Sequence, residues 1–211
     1  MSTRITDVEI TVALRRLVVG LVLVTAAVVL GIAVALETDV DIDTWWNSTV
    51  GSFLPSLTQL AFAFDFLGGG WFATYLVPLG GCLALVAARR WRAGLFFLAA
   101  SGASAAFVQL LKTIFGRVRP EDMLVISDHG SYPSGHTANA ATIAVVAVIL
   151  WPRLWVALLG AAWVFAMAFS RTQVHAHWLS DTVGGVLAGA GMGLVVAAAF
   201  TLPLERERSL G

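Results

Sequence analysis

The sequence predicts an all-α, polytopic membrane protein, and three observations carry that prediction. Hydrophobic residues make up 58% of the 211-residue chain and charged residues only 12%, against about a quarter charged in a soluble domain. Six apolar runs approach the length that crosses a bilayer. Arginines collect in alternate connections between those runs. The net charge of zero gives no sign of a nucleic-acid partner. The single cysteine, Cys82, lies in an apolar run and reads as a small core residue.

The expected spans are 17–36, 70–88, 93–115, 136–151, 153–170 and 182–204, forming one domain over 1–211 as a six-transmembrane-helix bundle. Arg15 and Arg16 precede the first run, and Ala33-Val34-Ala35 resembles a signal-cleavage site. That run is long for a signal peptide and is read as a span. The stretch 53–70, FLPSLTQLAFAFDFLGGG, is apolar but holds Pro55 and Asp65. It is read as an interfacial amphipathic helix after the first span, with Trp45 and Trp46 as belt residues.

Charge supports that choice. With six spans and the amino terminus inside, the inner side holds Arg4, Arg15, Arg16, Arg89, Arg90, Arg92, Arg153, Arg206 and Arg208. The outer side holds Lys112, Arg117, Arg119 and Arg171, together with Glu37, Asp39, Asp41 and Asp43. A seventh crossing at 53–70 would move the Arg-rich turn at 89–92 outside, against the positive-inside rule. The expectation is a multi-pass cell-membrane protein with both termini cytoplasmic.

The outer cations oppose the trend and need a reason. Lys112 is the only lysine, and Arg119 follows seven residues later, two helical turns along one face. Pro120 then turns the chain. His136 opens the fourth run, and His175 and His177 precede the sixth. His177 and Asp181 are four apart, a spacing that lets a carboxylate hold an imidazole N–H if the turn is helical. Ser134, in the stretch SYPSGHT, is placed to cap the fourth helix. Gly135, His136 and Thr137 then form a first turn whose free N–H groups suit an anion, and Gly135 permits its close approach. Three cations and an open helix end suit phosphate. Glu121, Asp122, Asp128, His129 and His175 read as solvated loop residues, and Arg117 as a supporting or headgroup contact.

These residues resemble the three-part signature of the type 2 phosphatidic acid phosphatase superfamily. Lys112, Arg119 and Pro120 match its first part, Pro133 to His136 its second, and Ser170, Arg171, His177 and Asp181 its third. Each short motif is weak alone; three in order are specific. The resemblance implies a phosphatase in which His177 is the nucleophile, Asp181 orients it, and His136 protonates the leaving oxygen. It implies that Lys112, Arg119, Arg171, Ser134 and the Gly135 N–H bind the phosphoryl oxygens. No metal and no cofactor are implied. The site is expected on the extracytoplasmic face, where a lipid phosphate reaches it from the bilayer. Phosphatidic acid, phosphatidylglycerophosphate and polyprenyl phosphates or diphosphates are all candidates. A lipid phosphotransferase using the same residues is the alternative. A vanadate-binding haloperoxidase fits the spans poorly. A transporter would place its ionisable residues at mid-span rather than at one face.

Overall fold

The computed structural model describes residues 7–37, 40–53 and 55–209. Arg4 and Asp39, read above as an inner cation and an outer acid, lie outside the described residues. Among the described residues every regular element is helical. The order is α1 Asp7–Leu36, α2 Asp41–Phe53, a 3-10 turn at Pro55–Leu57, α3 Thr58–Gly68, a π-helical turn at Phe72–Leu76, and α4 Val77–Ala87. Then come α5 Trp91–Phe115, α6 Gly135–Leu150, α7 Leu154–Gln173, α8 Leu179–Ala199 and α9 Thr201–Arg208.

Four helices, α1, α5, α7 and α8, are long and apolar enough to cross a membrane. The run expected at 70–88 is the second arm of a bent pair: Thr58–Gly68 and Phe72–Ala87 meet at 47°. Gly68-Gly69-Gly70 forms the break, where no side chain shields the backbone and Gly70 adopts φ 57°. The apolar stretch before the glycines is thus continuous with the expected second span. α6 is shorter, at 16 residues.

Several boundaries differ from the sequence reading for simple reasons. α1 begins ten residues before position 17, because Arg15 and Arg16 are good helix formers that hydropathy does not score. α5 ends at Phe115, where Gly116 takes a left-handed φ of 52° and caps Lys112 O. Arg119 is therefore not on the Lys112 helix face as expected, but in the following loop. α8 begins at Leu179, so His177 also lies outside the helix that carries Asp181.

α8 is the centre of the bundle, with α1, α6 and α5 packed around it. Glycines explain how closely they approach. Gly185, Gly189 and Gly193, spaced by four, face Ser134 O, Ala138 O and Val145 of α6 and its cap. Gly191 faces Gly20 and Val24 of α1. A Cβ at Gly189 would overlap the Ala138 backbone, so this seam requires glycine. Thr142 Oγ1 adds hydrogen bonds to Gly189 O (3.1 Å) and Ser104 Oγ (2.8 Å), tying α6 to both α8 and α5.

The two ends of the bundle are chemically distinct. At one end Arg16 donates to Thr201 (2.9 Å), Glu207 accepts from Arg92 N (2.7 Å), and Arg208 donates to Ile149 O (2.6 Å). At the other end lie the loops 116–134 and 174–178, with the candidate site between them.

Candidate active site

Ser134 caps α6 as expected, its hydroxyl accepting from Thr137 N (3.5 Å) and Thr137 Oγ1 (3.1 Å). Its own N–H donates to Asp181 O (2.9 Å), which fixes the PSGH turn against the start of α8. Tyr132 Oη reaches Ala27 O (2.5 Å) and pins the same turn to α1.

Asp181 Oδ2 accepts from Trp178 N (2.9 Å) and lies 3.5 Å from His177 Nδ1. The pair therefore meets without a helical turn between them, because Asp181 folds back as a cap over the first turn of α8. His177 Nε2 lies 3.1 Å from Arg119 Nη1. A guanidinium only donates, so Nε2 carries the lone pair and Nδ1 the proton, facing Asp181. This leaves Nε2 as a nucleophilic nitrogen beside a cation. Burial drives the His177 pKa from 6.5 down to about 3 despite Asp181, so the imidazole is neutral at ordinary pH.

Arg119 is held by backbone carbonyls, donating to Ala176 O (2.5 Å) and Gly130 O (2.9 Å). Lys112, 3% exposed, donates to the same Gly130 O (2.6 Å). The two cations expected on one helix face meet instead through one carbonyl. Asp128 bridges them, its Oδ1 3.2 Å from Lys112 Nζ and 2.8 Å from Arg119 Nη2. Burial alone would raise the Asp128 pKa, but the two cations outweigh it and hold it below the usual carboxylate value. Asp128 is thus an exposed loop residue, as the sequence suggests, but one paired with both cations.

Arg171 sits in the last turn of α7, fully buried at 0% exposure. Its Nη1 pairs with Asp65 Oδ1 (2.5 Å) and lies 3.2 Å from His136 Nε2. Its Nε and Nη2 have no hydrogen-bond partner among the described residues. His136 Nε2 is also 3.0 Å from Asp65 O, so this nitrogen meets an acceptor as well as the Arg171 donor. A Cβ at Gly69 would overlap the His136 ring, so the glycine break of the bent pair gives the imidazole its space.

A cavity of about 890 Å³ joins these groups. Lys112, Gly135, His136 and His177 line it, while Arg119 and Arg171 stand behind that lining, in contact with His177 and His136. Ser134 and Asp181 lie behind, supporting the turn and the nucleophile candidate. Away from the polar end the wall continues along α5 through Val108, Ala105 and Ser101.

Besides the pairing of Asp128, sequence reasoning missed the contacts of Asp65, Asp43 and His175, while Arg117 supports Asp181 as expected. Asp65 was visible as a lone carboxylate in an apolar stretch, a signal that usually marks function. Asp43 and Arg117 form a buried ion pair at 2.8 Å, yet Asp43 read only as one of four acids in the loop after the first span. His175 read as solvated, but its Nδ1 lies 2.9 Å from Asn47 Oδ1 and 3.0 Å from Asp122 Oδ2.

The fold is similar to two solved structures. The first transmembrane PAP2 type phosphatidylglycerolphosphate phosphatase from Bacillus subtilis superposes with TM-score 0.74 at 24% identity, over 84% of this chain and 94% of that one. Aquifex aeolicus LpxE gives 0.65 at 25% identity, over 75% of this chain and 96% of that one. In sequence, the chain is 32% identical over 109 residues to a lipid A 1-phosphatase of Rhizobium johnstonii, covering 46% of this chain and 43% of the relative. It is 40% identical over 72 residues to a non-specific acid phosphatase of Salmonella typhimurium, covering 34% and 28%. The chain spans less than half the length of these curated relatives. The PAP2 superfamily model matches residues 93–203, more than half of the chain and all three motif segments, and the chain belongs to that superfamily.

Proposed function

We propose that this protein is a membrane phosphatase of lipid phosphates that works through a phosphohistidine on His177, with no metal or other cofactor. The observation that carries the reading is the state of Arg171. A fully buried guanidinium with two unpartnered donors, beside Lys112, Arg119 and two imidazoles, fits an anion with several acceptor oxygens. Phosphoryl transfer asks mainly for positioning and charge stabilisation, which these groups supply.

In this reading Lys112, Arg119 and Arg171 bind the three equatorial oxygens, with the Gly135 N–H assisting and Ser134 holding the turn that presents it. His177 Nε2 attacks phosphorus; the N–P bond forms as the bond to the leaving oxygen breaks. Positive charge grows on the imidazole and is offset by Asp181. His136, in its cationic form, gives its Nε2 proton to the leaving oxygen and is left neutral. A water then attacks the phosphohistidine while His136 takes up its proton, and inorganic phosphate leaves.

A lipid substrate is supported by the cavity, which follows α5 from Lys112 to Ser101. Eleven residues of helix correspond to about 16 Å, a depth that suits the start of an acyl or prenyl chain. Relatives named for lipid A and phosphatidylglycerolphosphate also act on phosphate carried by a lipid. Phosphatidic acid, phosphatidylglycerophosphate and polyprenyl diphosphate all meet this description.

The bent pair taken as one crossing, with α6, brings the number of crossings to six, in a single domain. Its upper arm, α3, then corresponds to the segment read as interfacial. The arginine-rich end would face the cytoplasm with both termini, and the site would open on the outer leaflet of the cell membrane.

The test is phosphate release from a panel of these lipid phosphates in detergent, with rapid-quench trapping of radiolabelled protein. Turnover of at least one lipid with an acid-labile phosphoenzyme is expected. Phosphate release that requires transfer to an added lipid alcohol would favour a phosphotransferase instead.

A further inference from the structure

Asp181 carries a second ligand besides the His177 side. Its Oδ1 accepts from Arg117 Nη1 at 2.6 Å, and both groups are buried. A cation so close should weaken the negative charge that Asp181 offers His177. The structure contains a counterweight. Asp43, from the first turn of α2 and 1% exposed, accepts from Arg117 Nη2 at 2.8 Å through Oδ2. Its Oδ1 accepts from Ser180 N (2.8 Å), and its Oδ2 also from Ser180 Oγ (2.5 Å), one residue before Asp181. Arg117 Nη1 in turn donates to Ser180 Oγ at 2.8 Å, and its guanidinium lies 5.6 Å from the Trp178 ring centroid.

The chain of charge runs Asp43, Arg117, Asp181, His177, and α2 supplies its far end. Asp43 lies outside the segment 93–203 that the family model matches. With Asp43 present, Arg117 is shared between two carboxylates, and the three groups together keep one net negative charge facing the imidazole. Without it, Arg117 and Asp181 would cancel. In a site shielded from water, this difference acts directly on the imidazole charge that grows as the N–P bond forms.

We propose that Asp43 is a positioning residue for phosphoryl transfer: it offsets the Arg117 charge beside Asp181 and so preserves the negative charge that stabilises His177 in the transition state. The proposal rests on His177 being the nucleophile. It assigns Asp43 no contact with substrate, so binding and transfer should separate.

The experiment compares wild type, Asp43→Asn, Asp43→Glu and Asp41→Asn, using radiolabelled phosphatidic acid as substrate probe and inorganic vanadate as site probe. Asp41 shares the first turn of α2 but is exposed, so its variant controls for charge at that helix end. For Asp43→Asn, kcat and the rate of phosphoenzyme formation should fall about 10- to 100-fold, the range of one charged hydrogen bond lost in a buried site. KM and vanadate inhibition should stay within about twofold, since the phosphate-binding cations are untouched. Asp43→Glu should recover most of kcat, and Asp41→Asn should match wild type. Unchanged kcat in Asp43→Asn overturns the proposal. So does loss of vanadate binding or of folded protein in Asp43→Asn, because Asp43 would then be holding the structure and not the charge. A wild type that turns over with no phosphoenzyme overturns the nucleophile reading instead, while the kcat ratio still reports on Asp43.

Discussion

Asp128 Oδ1 lies 2.8 Å from Arg119 Nη2, where the proposed mechanism puts a phosphoryl oxygen. The same oxygen contacts Lys112, and Asp65 neutralises Arg171 through Nη1, leaving Nε and Nη2 unpartnered. Buried cations are costly without a counter-ion, so the free site carries two carboxylates as internal anions. In the proposed mechanism, substrate binding at Asp128 would then be an exchange of one anion for another.

Removing Asp128 should therefore strengthen anion binding. Arg119 and Lys112 remain fixed by Gly130 O, and Arg119 also by Ala176 O, so their placement does not depend on the carboxylate. In Asp128→Asn the vanadate inhibition constant should fall about 3- to 10-fold, on the order of 1 kcal/mol for a half-exposed competitor. Weaker inhibition would mean that Asp128 organises the cations.

Asp65 should behave differently, because its partner is completely buried. Asp65→Asn leaves the Arg171 charge without its carboxylate, and the free protein should lose about 1–3 kcal/mol of stability. Vanadate supplies the missing anion. Its stabilising shift in Tm should thus be larger in Asp65→Asn than in wild type. Equal shifts in the two proteins would refute this account.

Much of this site was legible in the sequence, and the failures have physical causes. Lys112, Arg119, His136, Arg171, His177 and Asp181 stand in ordered motifs, and the structure gathers them at one end of the bundle. Spacing misled where helix was assumed to continue: Gly116 ends α5 before Arg119, and Asp181 reaches His177 by capping. Asp43, Asp65 and Asp128 were harder, since a carboxylate's partner depends on which loops meet. Asp43 lies 74 positions from Arg117, and no local pattern marks that pairing. The bend between α3 and α4 was visible as three glycines, but not its use in seating His136.

That seat gives a prediction at a residue with no side chain. A methyl at Gly69 would push the His136 imidazole from its place between Asp65 O and Arg171. Gly69→Ala should slow hydrolysis of phosphatidic acid about 100-fold, the scale of a lost general acid. An aryl phosphate with a good leaving group should be affected much less, since it needs little proton donation. Equal losses on both substrates would place the defect elsewhere.

The low pKa of His177 has a defined sign for stability. Burial sets the folded value at about 3, below the 6.5 of an unconstrained histidine, so the unfolded chain binds the extra proton between them. The stabilising effect is full above about pH 6.5 and is lost as pH falls toward 3, with a slope of at most about 1.4 kcal/mol per pH unit. His177→Gln should show a shallower loss of Tm on acidification. In the wild type, 15N NMR of labelled histidine should find the His177 ring neutral at pH 5, with Nδ1 protonated. A cationic ring at that pH would remove the basis for this slope.

The neighbouring histidines provide the last separation. His177 faces the cavity, with Nε2 beside Arg119 and Nδ1 toward Asp181. His175 turns away, joining Asn47 of α2 and Asp122 of the loop 116–134. Its role is a tie between segments, so His175→Ala should cost about 1 kcal/mol of stability and keep most turnover and all of the phosphoenzyme. His177→Ala should abolish both while leaving vanadate-binding cations in place. Asp181→Asn should retain a folded protein but slow phosphoenzyme formation by several orders of magnitude, because the imidazole loses both its orienting acceptor and its compensating charge. Rapid-quench labelling of the three variants decides the assignment. Label that persists in His177→Ala and disappears in His175→Ala would move the nucleophile two residues toward α7 and undo the mechanism built on Nε2.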